Sequence, residues 1–133
     1  MRLELMEYVN ENLPQGFLPY YIYSMMIDEQ EVGRIVLREG NDDERYLDGH
    51  IGYSVFEEFR GHNYAYEACL ELKRIVNREY LFITCDPQNQ ASLQIIKKLG
   101  CIYLETKTIP SSRKRFFTSA EKEKMIFKWV ITH

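Results

Sequence analysis

Arg60-Gly61-His62-Asn63-Tyr64-Ala65-Tyr66 stands between a strand-like run and a helical run. Upstream, in Gly49-His50-Ile51-Gly52-Tyr53-Ser54-Val55-Phe56, the residues Ile51, Tyr53 and Val55 alternate with smaller or polar neighbours, as in a half-buried strand. Downstream, Ala65, Ala68, Cys69, Leu72, Ile75 and Val76 fall on one stripe at helical spacing. A strand that turns directly into a helix leaves the first N–H groups of that helix unpaired and facing whatever occupies the mouth. Phosphate is the natural occupant.

The turn reads as Arg-x-x-(Gly)-x-Ala, with Arg60 first, Ala65 last and Asn63 where a glycine is usual. In this it resembles the GNAT superfamily of acyl-CoA-dependent N-acetyltransferases. Asparagine accepts a left-handed conformation at modest cost, so the turn can still form. A second segment agrees with the first. Leu81 to Cys85 is a short buried-strand run, and Asp86-Pro87-Gln88-Asn89-Gln90-Ala91-Ser92 leads through Leu99 to Gly100, similar to the family's Asn-x-x-Ser…Gly helix. Asn89 is a candidate N-cap, Ser92, Ile95, Ile96 and Leu99 share a face, and Gly100 is a left-handed stop.

In that family the turn grips the pyrophosphate of coenzyme A. The resemblance therefore implies contacts to the cofactor from Arg60, Gly61, His62, Asn63, Tyr64, Ala65 and Tyr66, from Tyr53, Ser54 and Val55 on the central strand, and from Asn89 and Ser92. Read locally, Asn89 only caps its helix, and the resemblance adds a place beside the pantetheine arm.

A chain of 133 residues, 45% hydrophobic, fits one domain with one core. No apolar run approaches the ~20 residues that span a bilayer, and no cleavable leader is legible, so the expected setting is cytoplasmic and away from membranes. Cys69, Cys85 and Cys101 are odd in number, lack C-x-x-C spacing and read as reduced core residues; no metal is expected. A formal charge of −3 argues against nucleic acid as a partner. The one basic concentration, Arg113-Lys114-Arg115 before Phe116-Phe117, reads as a solvated loop, with a contact to the cofactor's 3′-phosphate or to an acidic acceptor as the sharper alternative.

The order of elements is mixed. Strands are expected over 20–27 and 31–38, joined as a hairpin, followed by a polar turn at 40–44, the central strand at 49–56 and a helix at 64–77. A strand at 80–85, a helix at 89–99 and strands at 101–109 and 123–131 complete the series. This matches a GNAT-like mixed α+β fold: a central, mostly antiparallel sheet flanked by helices, whose fourth and fifth strands run parallel and splay apart. Before residue 20, Arg2 to Met6 reads as a short strand, or Leu3, Met6 and Val9 as a short helix, and periodicity does not decide between them. Because this region is brief, an acceptor pocket completed by a second subunit in a homodimer is one expectation.

The chemistry that the resemblance implies is direct attack of a neutral amine on the thioester of acetyl-CoA. An oxyanion donor is expected from a backbone N–H near Val55. A primary amine, with pKa ~10.4, must lose a proton, and the leaving thiolate must gain one. His50 is the candidate base, with a strand-pairing histidine as the plain alternative. Ser92 and Tyr103 are candidate acids, because the helix position where related enzymes carry tyrosine is Ile96 here. Their plain alternatives are a serine bonded to local backbone and a core tyrosine. The acceptor, a small molecule or a peptide N-terminus, is not legible. A coenzyme A-binding module without turnover, or transfer of a longer acyl group, compete with this reading.

Overall fold

The structure, a computed structural model, describes residues 1–14, 17–110 and 122–132. The basic stretch around Arg113 lies outside them. The elements run β1 (Arg2–Val9), β2 (Tyr20–Ile27), β3 (Gln30–Arg38), α1 (Asp42–Arg45), β4 (Ile51–Val55), a 3₁₀ turn (Glu57–Phe59), α2 (Tyr64–Ile75), β5 (Tyr80–Cys85), α3 (Gln90–Lys98), β6 (Ile102–Thr108) and β7 (Glu123–Val130).

The undecided N-terminal stretch is a strand. β1 pairs antiparallel with β2 and carries a bulge between Leu5 and Glu7, which breaks the alternation that a pattern reading relies on. The expected hairpin of β2 and β3 is present, turning through Asp28 at φ 53°. What reads as a polar turn after Gly40 contains a one-turn helix. Asn41 accepts the Glu44 N–H while the Glu44 carboxylate accepts the Asn41 N–H, a reciprocal cap that stabilises even four residues.

Two sheets result, in the orders β1-β2-β3-β4 and β5-β7-β6, and every ladder within them is antiparallel. The expected pairing of the fourth and fifth strands shrinks to one main-chain bond, His50 N–H to the Phe82 carbonyl at 2.9 Å. Beyond it, β4 and β5 form no ladder, and the space between them opens. The core forms where α2 covers this junction: Met25, Ile35 and Ile51 from the first sheet meet Ala68, Cys69 and Leu72 from α2 and Leu81, Ile83, Phe127 and Trp129 from the second.

The α2 stripe is shorter than its sequence suggests. Ala65, Ala68, Cys69 and Leu72 are buried, but Ile75 ends the helix and is 55% exposed. Cys69 and Cys85 are buried as expected, whereas Cys101 is only half-buried; burial pushes the Cys69 and Cys101 thiols up to about 12.

Candidate functional site

The ladder between β3 and β4 decides which backbone groups of β4 are free. Phe56 N–H donates to Val32 and Arg38 N–H to the His50 carbonyl. In an antiparallel pair such bonds fall on alternate residues, so the even-numbered positions of β4 face β3. Tyr53 and Val55 therefore turn their N–H and C=O groups the other way, to the side that β5 has left.

Past Val55 the chain makes its 3₁₀ turn and reaches Gly61 at φ +92°, a conformation that side chains rarely adopt. Asn63 follows in the left-handed region at φ 63°, as its residue type allows. Although Asn63 occupies the N-cap position of α2, its side chain makes no capping bond. The first helical bond runs from Glu67 N–H to the Asn63 carbonyl. The N–H groups of Tyr64, Ala65 and Tyr66 are thus left without intrahelical acceptors, in addition to the helix dipole. Arg60 folds back so that its Nε donates to the Val55 carbonyl at 3.1 Å, fixing the turn against the end of β4.

Between this turn and α3 lies a cleft of about 620 Å³. Its walls hold Tyr53, Ser54 and Val55 from β4, Arg60, Gly61, Asn63, Tyr64 and Ala65 from the turn, and Asn89 and Ser92 from α3. All ten are residues expected at the cofactor. Phe59, Ala91, Gln94, Ile95 and Lys98 also line it and were not expected. Four of these, Ala91, Gln94, Ile95 and Lys98, are spaced i, i+3, i+4 and i+7, a helical face readable in the sequence one residue off the face chosen there.

Asn89 caps α3 by accepting the Ser92 N–H at 3.1 Å, and Gly100 ends that helix at φ +75°. At the inner wall the Tyr53 hydroxyl and Ser92 Oγ are 2.7 Å apart, and either can donate. Ser92 is buried, and burial raises the ionisation of Tyr53 far above its usual range, so both hydroxyls are neutral near pH 7.

The remaining expected residues lie outside the cleft lining. His62 is exposed and stacks on Tyr64, with centroids 5.2 Å apart. Tyr66 lies under the Lys98 ammonium, 4.5 Å from its ring centroid. Tyr103 is 51% exposed on β6, where its hydroxyl meets Thr106 Oγ1 at 2.7 Å. His50 is fully buried. Its Nδ1 accepts the Phe82 N–H at 3.0 Å, which leaves the proton on Nε2, 3.2 Å from the Gly40 carbonyl. Burial first, and the positive charge of Arg78 second, lower its pKa to about 4. Its geometry is that of the strand-pairing alternative, since ring and main chain together bind Phe82.

Among solved structures, RimL, a ribosomal L7/L12 α-N-protein acetyltransferase, superposes with a TM-score of 0.65 at 15% identity, over 84% of this chain and 70% of that one. A Salmonella typhimurium acetyltransferase that modifies the N-terminal serine of ribosomal protein L7/L12 gives 0.66 at 15% identity, over 85% and 64%. The microcin C7 self-immunity acetyltransferase MccE, solved with acetyl-CoA and AMP, gives 0.66 at 14% identity, over 84% and 61%. The chain thus spans about two thirds of the length of these proteins, and the likeness is one of fold. No curated protein matches the sequence. Residues 3–102 match the acetyltransferase (GNAT) domain, so the chain belongs to the GNAT family of acyl-CoA-dependent N-acetyltransferases.

Proposed function

We propose that this chain transfers an acetyl group from acetyl-CoA to a primary amine, by direct attack while both are bound. The observation that carries the reading is the uncapped start of α2 at one end of a cleft whose other wall is the unpaired edge of β4. A diphosphate meets free N–H groups and the positive helix end at the turn. From there a thin, amide-bearing arm can lie along the outward N–H and C=O of Tyr53, as a strand would, and bring a thioester carbonyl to the Val55 N–H. As the amine adds, the carbonyl oxygen gains charge, and an N–H held by its strand stabilises it without reorganising. Collapse then releases a thiolate. The Ser92 hydroxyl, hydrogen-bonded to Tyr53, is the proton donor at hand, and it regains its proton from water at the cleft mouth, so that neither hydroxyl is left ionised.

His50 is not given the acceptor's proton in this reading, since its one lone pair is committed to the Phe82 N–H. Nor is Tyr103, whose hydroxyl meets Thr106 and which does not line the cleft. Loss of the ammonium proton is assigned to water at the open mouth.

The test is release of free thiol from acetyl-CoA over a panel of primary amines. Amine-dependent release, lowered about tenfold or more in kcat by Ser92→Ala with acetyl-CoA affinity kept, is the expected result. Tight binding of coenzyme A without release from any amine would favour a binding module, and release only from longer acyl thioesters would replace acetyl as the group transferred.

A further inference from the structure

Charge along the cleft runs against the average of the chain. The sequence carries 20 acidic side chains against 17 lysines and arginines, yet the cleft between the turn and α3 is lined by two cations, Arg60 and Lys98, and by no carboxylate. The two cations are held differently. Arg60 turns back and gives its Nε–H to the Val55 carbonyl. Lys98 lies in the last turn of α3, its ammonium 4.5 Å from the centroid of the Tyr66 ring, and among the described residues it makes no ion pair.

A ring face steadies an ammonium without neutralising it, because the attraction comes from a quadrupole and leaves the N–H donors free. Tyr66 belongs to the first turn of α2, so the contact brings Lys98 beside the helix start whose N–H groups are open. A plainer reading makes Lys98 a charge that complements the carbonyl end of α3, as Lys97 does next to it. Of the two, however, only Lys98 lines the cleft and rests on α2. It also stands away from the reacting atoms: Ser92, at the inner wall, lies six residues earlier on α3, about 9 Å at ~1.5 Å per residue.

The geometry points to Lys98 as the holder of the phosphate monoester on the 3′-oxygen of the coenzyme A ribose, so that the acyl donor is selected by its third phosphate. This rests on the coenzyme site proposed above and concerns the part of the cofactor that the turn leaves unanswered. The diphosphate is met by the N–H groups of Tyr64, Ala65 and Tyr66 and by the helix dipole. The monoester, with a charge of about −1.5 to −2 at neutral pH, needs a cation of its own. An ammonium on a flexible stem supplies charge without a fixed angle, which suits an anion that has to be held but not aimed. Thioesters carried on 4′-phosphopantetheine alone, as on carrier proteins, lack this group and would be poor donors.

The experiment measures, by calorimetry, the Kd of coenzyme A and of 3′-dephospho-coenzyme A, which differ in that phosphate alone. The wild-type protein is expected to prefer coenzyme A by about tenfold or more. In Lys98→Met the preference should nearly vanish while the Kd of the dephospho form stays as it was, and Lys98→Arg should keep most of the preference. Lys97→Met makes the same change of charge in the same helix turn and should leave the preference intact. Equal loss of affinity for both coenzymes in Lys98→Met would assign the ammonium to the diphosphate and overturn the proposal. So would a wild-type protein indifferent to the 3′-phosphate, or an effect of Lys97→Met as large as that of Lys98→Met. Because binding is read without turnover, a Lys98-dependent preference in a protein releasing no thiol from any amine would leave the phosphate site standing and remove acetyl transfer. Amine-dependent release with equal affinities for the two coenzymes would do the reverse, and a protein that binds neither overturns both.

Discussion

The two ends of β4 solve opposite problems. At its start every polar group of His50 is answered: it gives its N–H to Phe82, takes the Phe82 N–H on Nδ1 and lends Nε2–H to Gly40, in a site closed to solvent. At its finish Tyr53 and Val55 face a gap, and the helix that follows begins with no side chain on its first N–H groups. One end is stapled so that the other can stay open. The strands diverge beyond the one place where His50 holds them together.

The largest effect that could break this comparison is at the closed end. His50→Ala removes two side-chain hydrogen bonds and a buried ring, leaving the Phe82 N–H unsatisfied. It is expected to cost about 3 kcal/mol in urea unfolding while the affinity for coenzyme A changes only a few-fold. A variant of undiminished stability with lost turnover would instead return His50 to the chemistry.

Acid should act on the same junction. His50 binds a proton near pH 4 when folded and near 6.5 when unfolded, so between these values the unfolded chain holds more protons and stability falls as pH falls. The loss through that window is up to about 3 kcal/mol. A pH series of unfolding curves should show this slope in the wild type and a flatter one in His50→Asn; parallel slopes would mean that the histidine is not what acid attacks.

A smaller effect is expected at the open end. Gly61→Glu sets a negative charge beside the turn and forces a side chain into φ +92°, so the Kd for coenzyme A should rise by roughly thirtyfold, about 2 kcal/mol. Gly61→Ala separates the causes. A Cβ there meets nothing within 4 Å, so only the backbone term remains and affinity should suffer far less. Equal losses in the two variants would show that conformation, not charge, governs the turn.

The same contrast explains what the sequence made legible. The open end is written in local signals, a strand, a turn of tolerant residues and an amphipathic helix, and so Gly61, Asn63 and Asn89 could be read directly. The closed end depends on Phe82 meeting His50 across a gap of more than thirty residues, which no local period reports. The residue type of His50 alone is compatible with a base or with a strand-pairing ring, and only its neighbours show the ring bonded to Phe82 and Gly40. α1 was missed because four residues are too few for a period, although its Asn-x-x-Glu cap was present in the sequence. β1 was ambiguous because a bulge breaks its alternation, and pairing with β2 is a tertiary decision.

The finest test falls on Asn63, the residue that departs from the glycine expected in its turn. At φ 63° and ψ 21° it carries the left-handed bend, and in that conformation its side chain makes no capping bond to α2, which is what keeps the helix mouth open. If the backbone alone matters, Asn63→Gly should leave both stability and coenzyme affinity within about 0.5 kcal/mol of the parent. Asn63→Ala, with a Cβ and no local polar compensation, should lose about 1 kcal/mol in unfolding. The two variants differ by one methyl group, so a difference in coenzyme Kd that tracks their stability difference would assign the role of Asn63 to shape. An affinity lost equally in both would assign it to the carboxamide, and the open end would then share with the closed end a dependence on one side chain.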